Sequence, residues 1–201
     1  MKLIVITSEE FPHGESMAIN RMFEDGLEIL HLRKPHSSID AVERLIKQID
    51  ASFHQHIVVH DHFSLVEMFD LRGVHLNMRN TATPQKEGFS VSRSCHSFED
   101  IVSFRAYDYV FLSPVFDSIS KIGYSCRFTP EQLYDAKNEG IINEKVMALG
   151  GVTPEKIPLV RQYGFGGAVV LGTLWNDFLK IGDTDDLIRR FKELKIKCEE
   201  E

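Results

Sequence analysis

The sequence predicts an α/β fold, a single-domain (β/α)8 TIM barrel over residues 1–201. Three observations carry that expectation. Short apolar, β-branched runs recur along the chain, and amphipathic stretches separate them, the pattern of repeated β/α units around a parallel sheet. Eight such beats in 201 residues match the lower size limit of this barrel. With 43% hydrophobic residues the chain fills one core and is short for two. An open doubly wound sheet is the alternative, but no G-x-G-x-x-G follows the first run.

The strand runs are K-L-I-V-I-T (2–7), E-I-L-H-L-R (28–33), H-I-V-V-H (56–60), G-V-H-L (73–76), F-S-V-S-R (89–93), Y-V-F-L-S (109–113), K-V-M-A-L (145–149) and G-A-V-V-L (167–171). Between them, residues 37–49 place Ile39, Val42, Leu45, Ile46 and Ile49 on one helical stripe, with Ser38 set to cap it. Helices are also expected over 97–104, 129–137, 153–161 and 183–194, where Ser, Thr or Asp stands at the start and Pro can occupy the first turn.

Composition narrows the function classes. The formal charge is -7, and the 23 Lys and Arg residues form no basic stripe, so nucleic acid is not an expected partner. The N-terminus M-K-L-I-V-I-T-S-E-E has too short an apolar run for a signal core or a membrane span, so a cytoplasmic protein without membrane contact is expected. Cys95, Cys126 and Cys198 share no C-x-x-C spacing and read as reduced thiols.

In such a barrel the chemistry sits at the C-terminal ends of the strands. Those ends hold His31 and Arg33, His60 and Asp61, His75, His96, Ser113, Gly150 and Gly151, and Gly172. L-G-G-V-T-P (149–154) and V-L-G-T-L-W (170–175) follow strands seven and eight, where barrels of this kind often hold a phosphate. Gly150, Gly151, Leu171 and Gly172 are the expected phosphate contacts, since backbone N–H groups and the start of a helix attract an anion. Tight turns alone would also explain the glycines.

Side chains alternate across a strand. In F-S-V-S-R-S-C-H the set Ser90, Ser92, Ser94 and His96 therefore lines the barrel, while Phe89, Val91, Arg93 and Cys95 face the helices. His96 arrives at the mouth as a candidate proton carrier. Cys95 points away from it. The segment 113–123 reads as a flap that brings Ser118, Ser120 and Lys121 over a ligand.

The motifs I-L-H-L-R, G-V-H-L, S-R-S-C-H-S-F-E-D, D-Y-V-F-L-S-P-V-F, A-L-G-G-V-T-P-E and G-A-V-V-L-G-T-L together resemble the thiamin phosphate synthase and TenI family. The resemblance covers nearly the whole chain. It implies a homodimeric thiamin-biosynthesis enzyme that binds a thiazole phosphate, with one of two activities. Synthases join a pyrimidine diphosphate to the thiazole phosphate with magnesium; TenI-like thiazole tautomerases shift a proton to make a carboxythiazole phosphate aromatic, without metal.

Where synthases carry Gln-x-Arg-x-Lys, this chain has His31, Arg33 and Pro35, with Lys34 one residue out of phase and so aimed to the other side. The Asn-Asp pair becomes His60 and Asp61, and Asn80 stands where a second magnesium-binding aspartate belongs. The resemblance thus favours the tautomerase, with no metal or other cofactor. His96 is then its proton carrier, Arg33 and Lys121 lie close to the reacting group, and His31 and His60 touch the substrate. Magnesium, at Asp61, enters only for the synthase.

Two further classes remain. His60, Asp61, His62 and His75 suit a metal-dependent hydrolase, because H-x-H in a strand puts both rings on one face. A sensor that keeps the phosphate site without turnover is the other.

Overall fold

The computed structural model describes residues 1–83, 88–117 and 127–200. Eight parallel strands close on themselves: β1 (Lys2–Ile6), β2 (Ile29–Leu32), β3 (Ile57–Val59), β4 (Gly73–Leu76), β5 (Ser90–Cys95), β6 (Tyr109–Leu112), β7 (Val146–Leu149) and β8 (Gly167–Val170). All eight coincide with the expected runs, and β8 pairs back onto β1, Val170 opposite Val5. The fold is a single-domain (β/α)8 barrel. No helix among the described residues is long and apolar enough to cross a membrane.

The helices around it are α1 (Glu15–Glu24), α2 (Ile39–Lys47), α3 (Leu65–Phe69), α4 (Phe98–Ser103), α5 (Pro130–Asn138), α6 (Ile157–Gln162), α7 (Gly172–Ile181) and α8 (Thr184–Glu199). Their starts follow the sequence. Ser38 accepts from the Ala41 amide, and Thr129 forms a capping box with Gln132 ahead of Pro130. Asp183 caps α8 through the Asp186 amide. Between β4 and β5 no helix occurs among the described residues, whereas two helices follow β8.

Alternation along each strand divides the apolar side chains into two cores. Leu3, Val5, Leu30, Val59, Val74, Cys95, Leu112, Ala148 and Val170 face the helices and pack with Trp175, Phe178 and Phe191. Ile4, Ile6, Ile29, Val58, Tyr109, Phe111, Met147 and Val169 fill the lumen. Trp175 Nε1 donates to the Ile6 carbonyl at 2.8 Å and fixes α7 against the end of β1. That bond holds the start of α7 at the barrel mouth.

Candidate functional site

Three neighbouring strands each bring a histidine into the lumen: His31 from β2, His75 from β4, and His60 from the position just after β3. His31 and His75 are fully buried and His60 is 4% exposed. Burial drives the rings of His31 and His60 well below the usual imidazole pKa and His75 to about 3, with nearby positive charge adding to the effect. All three are therefore neutral at physiological pH.

Hydrogen bonds account for most of their ring nitrogens. His31 Nδ1 meets His60 Nε2 at 2.9 Å, and His31 Nε2 meets the Tyr109 hydroxyl at 2.8 Å. His75 bonds Ser92 Oγ at 2.8 Å through Nδ1 and Ser94 Oγ at 2.9 Å through Nε2. Ser92 and Ser94 thus line the barrel as their alternation requires. Tyr109 escaped the sequence reading, although its place in Y-V-F-L puts it on the same face as Phe111. Its phenol is pushed up to about 12 by burial and stays protonated.

His31 requires a correction. The sequence made it a ligand contact, but it lies below the mouth with no exposed surface, and its polar neighbours are His60 and Tyr109. Only His60 of that pair reaches toward the opening. The H-x-H reading also fails: β3 ends at Val59, His62 adopts a left-handed φ of 56°, and its Nε2 bonds the Ser37 carbonyl at 2.7 Å. His31 takes its place beside His60 and His75, the three offering nitrogens within 4.8 Å of one another.

His96 stands exposed one residue past β5. Asp100 Oδ2 accepts from its backbone amide at 2.8 Å, and its Nδ1 lies 3.0 Å from the Ser113 carbonyl. A carbonyl only accepts, so Nδ1 carries the proton and Nε2 presents a lone pair in the neutral ring. That is the form a base needs. Cys95 is buried, and its thiol is pushed up to about 12 by burial, which removes it as a nucleophile.

At β2 the out-of-phase reading holds. Lys34 is 1% exposed and its ammonium lies 2.7 and 2.8 Å from the Glu15 carboxylate, with the Glu10 carbonyl as a further acceptor. It is withdrawn into the helix layer. Arg33 stays partly exposed and pairs with Glu9 at 2.5 Å.

Past β7, Gly150 and Gly151 have φ of 104° and 61°. A Cβ on Gly150 would stand 2.8 Å from Pro114 Cα, and one on Gly151 would stand 2.1 Å from the Asp117 carbonyl oxygen. Both glycines are therefore required by the backbone itself. Past β8, Gly172 begins α7, and no side chain caps its first turn. Thr173 Oγ1 donates to the Val152 carbonyl at 2.5 Å, joining the two loops. Leu171, Gly172 and Thr173 are partly exposed there, with the helix N-terminus beside them. Ser118, Ser120 and Lys121, and with them most of the expected flap, lie outside the described residues.

The sequence profile described as Thiamine monophosphate synthase matches residues 3–174. The chain belongs to this family. It is thereby placed among the enzymes of thiamin biosynthesis. A curated thiamine-phosphate synthase of Bacteroides thetaiotaomicron is 25% identical over 187 residues, covering 87% of this chain and 88% of that protein. A crystal structure titled thiamine phosphate pyrophosphorylase, also from Bacteroides thetaiotaomicron, is 43% identical with a TM-score of 0.90 over 100% of both chains. One from Pyrococcus furiosus, at 19% identity and TM-score 0.73 over 98% of this chain and 95% of that one, shares the fold. None of these names is that of a tautomerase, so the expected branch draws no support from them.

The thiamine monophosphate synthase family uses magnesium, for which Asp61 is the ligand the sequence offers. Asp61 is held by Asn80 Nδ2 at 2.9 Å and by the Arg79 guanidinium at 3.2 Å, both on Oδ1. No cluster of acidic side chains able to hold a metal occurs among the described residues. The bonds to Asp61 engage Oδ1, while Oδ2 lies 3.5 Å from the same guanidinium, and a magnesium ion there would draw most of its oxygen ligands from water and substrate phosphates.

Proposed function

We propose that this member of the family is a thiazole tautomerase, which moves a proton on a carboxythiazole phosphate without metal. The observation that carries the reading is the capture of Asp61 by Asn80 and Arg79. A pyrophosphate leaving group needs its charge offset, and the proton shift creates no such group. His96, with Nε2 available, is the acid/base. The loops at Gly150, Gly151, Leu171 and Gly172 bind the phosphate, Arg33 lies near the substrate carboxylate, and His60 touches the ring.

The synthase is the second reading, favoured by the names of the relatives. Supplying the purified protein with each substrate set and following products by mass separates the two. The tautomerase reading expects the aromatic carboxythiazole phosphate in excess EDTA. Thiamin phosphate formed at an ordinary enzymatic rate with magnesium, and no aromatisation, overturns it.

A further inference from the structure

The barrel has a second concave end, opposite the mouth. A cavity of about 380 Å³ lies among the strand starts, reached by Lys2 at the head of β1, by Ser90 at the head of β5, and by Arg72 and Asp108 just ahead of β4 and β6. Its inner wall is the floor of the lumen, formed by Ile4, Ile29, Tyr109 and Met147. Of these groups only Tyr109 touches the site described above, through its hydroxyl on His31.

Arg72 is the group that stands out. Its backbone is fixed on both sides, the amide donating to the Ile57 carbonyl at 2.9 Å and the carbonyl accepting from the Ser90 amide at 2.8 Å. Its Nε is buried with no hydrogen-bond partner among the described residues. Its charge is felt inside the barrel, where it adds to burial and His75 in keeping His31 unprotonated. Neither Arg72 nor the exposed Lys2 forms an ion pair among the described residues. Asp108, the carboxylate on this wall, turns Oδ2 to the Val91 amide at 2.7 Å rather than to the guanidinium. A cationic donor that has left water and met no acceptor is unfavourable, and an acceptor entering the cavity restores the bond. Packing accounts for an arginine stem over an apolar floor, but not for a head left unpaired beside a cavity.

We propose that this cavity binds a small organic carboxylate, with its anionic end on Arg72 and its apolar body against Ile4, Ile29 and Met147. Charge sets the class. The cations Lys2 and Arg72 with the anion Asp108 leave one net positive charge, which a monoanion neutralises and a phosphate dianion overshoots. Nε–H and one Nη–H of a guanidinium form a planar fork that matches the two oxygens of a carboxylate. The apolar floor favours an ion that carries a body, and the volume is that of a small-molecule pocket. The cavity lies at the far end of the barrel from His96 and from the loops after β7 and β8, so its ligand and the substrate do not compete for space. Tyr109 stands between the two ends, lining the cavity and bonding His31, which in turn meets His60. The site is independent of the tautomerase reading.

Benzoate is the probe, a monoanion with a flat apolar body. Titrated into the native protein, it should bind saturably by calorimetry. In amide NMR spectra it should shift Ser90 and Asp108 and leave His96 and Gly172 in place. Arg72→Met, which removes the charge and keeps a stem, should weaken binding by about tenfold or more, the worth of a charge-assisted hydrogen bond. Arg33→Met, at the mouth, should leave it unchanged. Acetate, which has the charge without the body, and inorganic phosphate should each bind about tenfold more weakly than benzoate or worse.

Shifts confined to the mouth, or equal affinity in Arg72→Met, overturn the site. Phosphate bound as tightly as benzoate overturns the carboxylate assignment, and the lack of saturable benzoate binding overturns the whole proposal. The amide shifts of the native protein decide the matter even where Arg72→Met does not fold.

Discussion

The barrel lumen has two walls built on opposite terms. Along β1, β7 and β8 the inward positions are Ile4, Ile6, Met147 and Val169, whereas along β2 to β5 His31, His60, His75, Ser92 and Ser94 share the inward face with only Ile29 and Val58 as apolar neighbours. The first wall is held by area removed from water, a non-directional effect that tolerates exchange of one apolar side chain for another of similar volume. The second is held by bonds between specific atoms, where losing one partner strands the other without solvent. A barrel needs only the first wall to stand. The second is the kind of core that a site demands, and it lies beneath the end of the barrel that carries His96, Arg33 and the loops after β7 and β8.

Acid should separate the walls most sharply. The folded histidines stay neutral, whereas in the unfolded chain each binds a proton below its ordinary pKa of 6.5. Stability is therefore full above pH 6.5 and falls as pH drops, continuing for His75 toward about 3. By pH 5, His75 alone should cost about 2 kcal/mol, with His31 and His60 adding in the same direction. Chemical denaturation at pH 7.5, 6 and 5 checks this, and a flat profile contradicts it.

His96→Gln should reduce aromatisation by about 10²- to 10⁴-fold, the contribution typical of one acid/base group. Because His96 is exposed, its melting temperature should stay near that of the native protein. Loss of the fold along with activity would make His96 structural.

On the apolar wall, Met147→Ala should cost about 2–5 kcal/mol by cavity formation. That cost should be the same at pH 7.5 and pH 6. A strongly pH-dependent penalty would show that the two walls are not independent.

A smaller effect is expected at the phosphate end. Gly172→Asp puts a like charge at the first turn of α7 and should weaken binding of thiazole phosphate by roughly tenfold or more, read by calorimetry. Unchanged affinity would move the phosphate elsewhere.

Local periodicity made much of this legible. The strand runs, the Ser38 cap, the inward pair Ser92 and Ser94, and the outward turn of Lys34 all follow from period 2 or period 3.6 within one segment. What was hidden depends on register between segments. Tyr109 reaches His31 across the lumen, Glu15 waits for Lys34, and Arg79 with Asn80 closes on Asp61 from a different loop. The H-x-H reading failed because the strand stopped at Val59, before its alternation could carry His62 inward. Gly150 and Gly151 were legible as glycine-requiring, but their closeness to Pro114 and Asp117 was not.

The central claim is that the mouth moves a proton and holds no catalytic magnesium, and it stands on Asp61. Titrating magnesium into the protein with pyrophosphate present, followed by calorimetry for the native chain and for Asp61→Asn, tests it most directly. The account predicts that the two titrations are indistinguishable, with no saturable site removed by the substitution. Saturable binding in the native protein that Asp61→Asn abolishes would contradict it and return the chain to the synthases.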